Sequence, residues 1–221
     1  MENDITCGSE QWQSFSTVRH PFTTFGLAVL GFYLLFWGAQ VLFPGSVAST
    51  IVLVFVTIVG IALVQPGWNV RPSRPAGYWA VLFSLLLGSA AFAAYVLTSL
   101  KIPTPYDSVK LTILAILPGV VAVTGIEELF FRQVMFRWLE QHQISGRGVV
   151  LTTSVAFAGA HLGPLLMVEP AGRVFYLLQS LYMLWVGLLL GELRRVSGSW
   201  TTSWAGHIGY NVTVLFFLSQ R

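Results

Sequence analysis

Three short polar groups at helical spacing interrupt otherwise apolar stretches of this chain. They are Glu127-Glu128 with Arg132, His161 four residues after Phe157, and His207 four residues before Asn211. In a helix, residues four apart share a face, so Glu128 and Arg132 can pair directly. Glu127 is turned about 100° away at 3.6 residues per turn and cannot share that arginine equally well. One carboxylate is thereby neutralised as a brace and the other left free to titrate. An unpaired buried carboxylate suits a general base, which assigns Glu127 that role and Glu128–Arg132 the support. Taken alone, the trio has a second reading, a buried ion pair with a spare glutamate at the water interface.

Phe157 and His161 stand on one face, the ring a turn below the imidazole. The small Ala158, Gly159 and Ala160 between them leave room for a helix or a peptide to approach. His207 and Asn211 also share a face and offer N–H donors for a developing oxyanion. Either pair alone could be glue between helices. A water-activating carboxylate, a histidine to relay a proton and a donor pair for a tetrahedral oxygen together supply what amide hydrolysis needs. The sequence has no Gly-x-Ser-x-Gly and no HExxH, which disfavours serine hydrolases and the commonest zinc-protease pattern.

The elements that must position these groups are membrane spans. Of 221 residues, 55% are hydrophobic and 10% charged, against roughly 25% charged in a soluble domain. So few charges could not wet a surface on all sides, so lipid must cover much of it. Spanning takes about 20 mostly apolar residues. Segments at roughly 22–43, 47–65, 77–100, 111–139, 148–167, 174–192 and 200–218 meet or approach that length. The expectation is an all-α polytopic transmembrane bundle of about seven spans (seven or eight), with a polar intramembrane cavity. It forms a single domain over 1–221, with N-terminal spans in 1–105 and the core carrying the three motifs in 106–221. The first apolar stretch is longer than the 7–15-residue apolar region of a signal peptide and reads as a retained span.

Alternating from a cytoplasmic N-terminus puts Arg19, Arg71, Arg74, Arg137, Arg147, Arg194 and Arg195 inside and Lys101, Lys110, Arg173 and Arg221 outside, which agrees with the positive-inside rule. The fourth segment would run about 43 Å as one helix, longer than the ~30 Å hydrocarbon core. Its last turns are therefore expected to leave the membrane, carrying Arg137, Glu140 and His142 into water. Gly159 with Gly163, and Gly187 with Gly191, have the spacing of close helix packing. Glu192 reads as an interfacial partner of Arg194 and Arg195. The net charge of +3 is ordinary loop charge, without the basic, aromatic-interleaved patch of a nucleic-acid groove. Cys7 is the only cysteine, which excludes an intramolecular disulfide and multi-thiolate metal sites.

In context, a charge at the centre of a span costs about 2.5–3.5 kcal/mol. Glu127, Glu128, Arg132, His161 and His207 should therefore face one another or a wet cavity. The sequence Glu127-Glu128-Leu129-Phe130-Phe131-Arg132 resembles the EExxxR motif of the type II CAAX prenyl endopeptidases. Their bacterial relatives are the CAAX proteases and bacteriocin-processing (CPBP, or abortive-infection, ABI) proteins. Phe157 to His161 resembles the family's FxxxH motif and His207 to Asn211 its HxxxN motif, in the same order, over roughly residues 110–218. The resemblance implies an intramembrane endopeptidase with a conical cavity open to the cytosol, in the inner (plasma) membrane of a bacterium. Glu127 and His161 would activate the water, His207 and Asn211 would form the oxyanion hole, and Glu128 and Arg132 would support them.

Partners so implied are a peptide or prenylated protein substrate and membrane lipids. The glutamate–water scheme needs no cofactor. Glu127, His161 and His207 could instead give zinc three ligands and one open position, as the metalloprotease label of some family members implies. The rival reading is a non-catalytic membrane immunity or scaffold protein whose polar residues only lock helices together.

Overall fold

A computed structural model describes residues 76–101, 113–166 and 168–219, with isolated positions between 30 and 59. The spans expected at 22–43 and 47–65 lie outside the described residues apart from those positions. Every element described is helical: α1 (Ala76–Ser99), α2 (Ile113–Glu128), a π-helical segment (Leu129–Met135), α3 (Phe136–Gln141), α4 (Gly146–Ala160), a 3₁₀ turn (Gly163–Leu166), α5 (Pro170–Ser197) and α6 (Trp200–Leu218). Gly146–Leu165 and Gly172–Ser197 are long and apolar enough to cross a membrane by length and composition. On α5, Val174, Leu181 and Trp185 point outward at spacings of seven and four, and on α4 Leu151 and Val155 do the same. Such outward apolar stripes suit lipid rather than water.

Local chemistry sets the helix ends. The Ser145 hydroxyl accepts from the Gly148 N–H at 3.2 Å and caps α4. Pro170 opens α5, where its missing N–H would have had no partner anyway. Gly198 closes α5 at φ 73°, the left-handed conformation that favours glycine, and its N–H bonds the Arg194 carbonyl at 2.9 Å. The Ser197 and Ser199 contacts tighten this short link into α6.

Two elements differ from expectation. The fifth segment was expected to run to 167, but its α-helix stops at Ala160. Pro164 disfavours helical backbone at the residue before it, so Gly159 and Gly163 fall on separate elements. The fourth segment is helical throughout but not one α-helix. Immediately after Glu128 it widens into the π segment, whose residues Phe130 to Met135 are all buried. The last turns do reach the surface, where Arg137 and Glu140 form an exposed ion pair at 3.0 Å.

Helix α4 packs along α5, while α6 lies against α1, α2 and α5. Small residues allow the closest approaches. A Cβ on Gly191 would come within 2.9 Å of Val150 Cγ1. One on Gly187 would meet Ser154 Cβ at 3.1 Å, its Cα at 3.2 Å and Phe157 Cδ1 at 3.3 Å. The Gly187/Gly191 pair thus faces α4. Across the bundle, the Tyr182 hydroxyl donates to the Ser89 carbonyl, and the Trp185 indole donates to the Ser89 hydroxyl at 2.9 Å, tying α5 to α1.

Gly187→Val should lower the thermal midpoint of the detergent-solubilised protein, by an amount equivalent to about 1–3 kcal/mol of overpacking. Gly88→Ala, whose Cβ would meet nothing within 4 Å, should leave the midpoint unchanged or slightly raised.

Candidate active site

The site is assembled where α2, the π segment, the end of α4 and the middle of α6 meet. The Glu128 side chain is fully buried. A naked carboxylate there would be costly, and donors from two elements surround it. His207 Nδ1 lies 3.0 Å from Oε1, the Ser203 hydroxyl donates to Oε2, and Arg132 Nε stands 3.7 Å from Oε2. The expected Glu128–Arg132 pair is therefore present, but it is the longest of these contacts. Arg132, itself fully buried, donates from Nη2 to the Gly187 carbonyl on α5 at 3.1 Å. Its guanidinium carbon lies 5.1 Å from the centre of the Phe157 ring, close enough for a cation–π contact.

Glu128 also fixes His207. A carboxylate that receives Arg132 and Ser203 is an acceptor, so Nδ1 of His207 carries the hydrogen on that side. That leaves Nε2 facing Glu127, 3.8 Å from Oε2. Glu127 differs from its neighbour in exposure, with about 20% of its side chain open against none for Glu128. Adjacent in sequence, the two carboxylates look in different directions, one into protein and one into space.

His161 occupies the C-cap of α4 rather than its interior. Its Nδ1 lies 2.9 Å from the Phe157 carbonyl. Since a carbonyl only accepts, Nδ1 bears a hydrogen, and in the neutral ring Nε2 keeps its lone pair. The ring of Phe157 is fully buried among the polar groups. It meets His161 edge-on at 4.8 Å, His207 at 5.6 Å and Phe131 at 5.3 Å between centroids. The spacing of Phe157 and His161 indicated the first contact. The second, which joins α4 to α6, was not readable from the sequence.

Glu127, His161, His207 and Asn211 all line one cavity of about 470 Å³. Its walls come from α1, α2, the end of α4, α5 and α6, and they are mainly aliphatic and aromatic. Phe92, Val96, Val123, Phe175, Leu178 and Val214 contribute, with Gln179, Tyr182 and Tyr210 as further polar groups. Glu128, Arg132 and Phe157 lie behind this wall and do not line it. Ser203 was missed at the sequence level, although it stands one turn before His207 on the face that ends in Asn211. Its hydroxyl also lies 3.1 Å from the Leu190 carbonyl, linking the site to α5. Among the described residues, no three His, Cys, Asp or Glu side chains are grouped so as to hold a metal ion.

Residues 108–213, the stretch carrying all three motifs, match the Rce1-like family, described as type II CAAX prenyl endopeptidase Rce1-like. No curated protein and no solved structure matches the chain. The matched stretch is thus similar to a CAAX-protease-like peptidase domain, and it includes both described helices that are long and apolar enough to cross a membrane.

Glu128→Ala should destabilise the fold far more than Glu127→Ala. The first leaves a buried arginine and a buried histidine without their acceptor, an effect of about 3–5 kcal/mol for a broken buried pair. The second removes a partly open side chain at the cavity wall. Thermal unfolding of both variants in the same detergent checks the difference, and equal losses would contradict this division of roles.

Proposed function

The chain carries an Rce1-like domain of the type II CAAX prenyl endopeptidases over residues 108–213, and on that premise we propose that it is an intramembrane endopeptidase acting through a glutamate- and histidine-activated water. The observation that carries this reading is the convergence of Glu127, His161, His207 and Asn211 on one cavity. Locking helices together would not require four polar side chains from three elements to share open space. In this reading the bundle has about seven spans. Its N-terminus is in the cytosol and the cavity opens to the same side, in the inner membrane of a bacterium. The substrate is a peptide or a prenylated protein.

The chemistry follows from which nitrogen and oxygen atoms are free. Glu127 and the Nε2 lone pair of His161 hold a water in the cavity. Glu127 takes a proton as the water oxygen attacks the scissile carbonyl carbon. The carbonyl π pair moves onto its oxygen, which is received by the Asn211 amide and by His207 Nε2. Because Nδ1 already donates to Glu128, Nε2 donates to the oxyanion as part of an imidazolium. The tetrahedral intermediate then collapses, and the proton held by Glu127 passes to the leaving nitrogen as the C–N bond breaks. Glu128, Ser203, Arg132 and Phe157 touch no substrate in this scheme. They fix the His207 ring and the direction of Glu127. No step calls for a metal.

On a fluorogenic peptide ending in a prenylated CAAX sequence, Glu127→Ala and His161→Ala should lower kcat by about 10²–10⁴. Loss of a donor in Asn211→Ala should cost about 10²–10³. All three should retain wild-type melting behaviour, and full-rate cleavage by a folded Glu127→Ala protein would overturn the proposal. Cleavage by protein dialysed against chelator should proceed at the untreated rate. Activity that is lost on dialysis and restored by zinc would replace the metal-free scheme.

A further inference from the structure

Arginines near a helix C-terminus ordinarily turn toward the last carbonyls of their own helix or toward water. Arg195 behaves this way, pairing with Glu192 at the surface at 2.7 Å. Arg194 does not. It is 97% buried, and its Nε donates to the Arg132 carbonyl at 3.0 Å. Its guanidinium carbon sits 5.1 Å from the centre of the Phe136 ring. Both contacts are on the widened helix, at Arg132 within the π segment and at Phe136 just past its end.

Arg132 answers in the opposite sense, its side chain donating to the Gly187 carbonyl on α5 at 3.1 Å. Gly187 and Arg194 are seven residues apart, about 10.5 Å along α5. The π segment is thus held to α5 by two arginines that each use the other helix's backbone. A carbonyl oxygen has two lone pairs, so Arg194 can bond Arg132 without displacing a helical donor.

We infer that Arg194 is a positioning residue for Glu127, fixing the π segment that continues directly from Glu127 and its supporting neighbour Glu128. Arg194 does not line the cavity, so it acts through others. Arg132 stands 3.7 Å from Glu128, Glu128 holds His207 at 3.0 Å, and His207 faces Glu127 at 3.8 Å. Releasing the Arg132 carbonyl frees the start of that series of contacts. The catalytic part of this inference rests on the endopeptidase reading, while the clasp itself can be tested without it.

The full chain in detergent should be compared as wild type, Glu127→Ala, Arg194→Lys and Arg194→Met on the prenylated fluorogenic peptide. Amide hydrogen exchange should be followed in parallel. Arg194→Met should lower kcat about 10- to 100-fold, as small misplacements at a distance do, with KM within twofold. Arg194→Lys, which keeps a donor, should recover part of that loss. Exchange across residues 129–137 should quicken in Arg194→Met while α4 keeps its protection.

Phe136→Leu removes the ring beneath Arg194 and should show the same pattern in milder form, which keeps the inference testable if Arg194→Met does not fold. Wild-type kcat and unchanged exchange in the folded Arg194 variants would overturn the inference. So would losses in which KM rises and α4 loosens equally. A wild type that leaves the peptide intact, or Glu127→Ala cleaving at the wild-type rate, overturns the endopeptidase reading instead, and the exchange pattern then still decides whether the clasp exists.

Discussion

The buried carboxylate of Glu128 is the constraint around which the rest of the site is arranged. Removing a carboxylate from water is affordable only if donors replace the lost hydration. Here those donors are Arg132, Ser203 and His207. Two of them lie on α6 and one on the π segment, so satisfying the charge also fixes the relative position of those elements. The same contact selects the nitrogen that His207 presents to the cavity. Fold stability and imidazole orientation therefore rest on one side chain, and its neighbour Glu127 remains open because Glu128 has taken the available partners.

Phe157 plays the corresponding part among the rings. Its face receives Arg132, and its edges and neighbours meet both histidines and Phe131. Its backbone carbonyl meanwhile fixes the His161 tautomer. The close approach of Gly187 to Ser154 and Phe157 brings the α5 backbone near enough for Arg132 to reach the Gly187 carbonyl. A side chain on that glycine would compete with Phe157 for space and with the arginine for its acceptor. Packing and polar satisfaction are thus coupled at a single helix crossing.

What could be read from the sequence followed from cost. Charged residues inside apolar segments are expensive enough to demand partners, so Glu127, Glu128, Arg132, His161 and His207 could be singled out and expected to meet. Spacing of four gave the Glu128–Arg132 and Phe157–His161 contacts because that rule is local. The π segment was not legible, since its register depends on how Phe130 to Met135 are buried rather than on any residue type. Arg194 looked like Arg195 in the sequence. Which of two adjacent arginines turns inward is decided by the carbonyl and ring offered from another helix. Ser203 was overlooked for a related reason, because a serine in a span carries no insertion cost that demands explanation. The end of α4 at Ala160 could have been anticipated from Pro164.

The position of His161 at a helix C-cap has a chemical consequence that a mid-helix histidine would lack. Inside a helix, the Phe157 carbonyl would be taken by the N–H four residues on. At the end of α4, the His161 N–H turns instead to the Ala158 carbonyl at 3.1 Å, and the Phe157 carbonyl receives the imidazole Nδ1. The early stop therefore turns a backbone acceptor into the group that orients an imidazole lining the cavity. Glu127 stands at a second irregularity, one residue before the last α-helical position ahead of the π segment. Two of the polar groups that line the cavity thus come from places where regular helix gives way. A regular helix satisfies its own backbone and aims side chains at fixed intervals, whereas its interruptions free backbone groups that can hold a reactive side chain at a chosen angle.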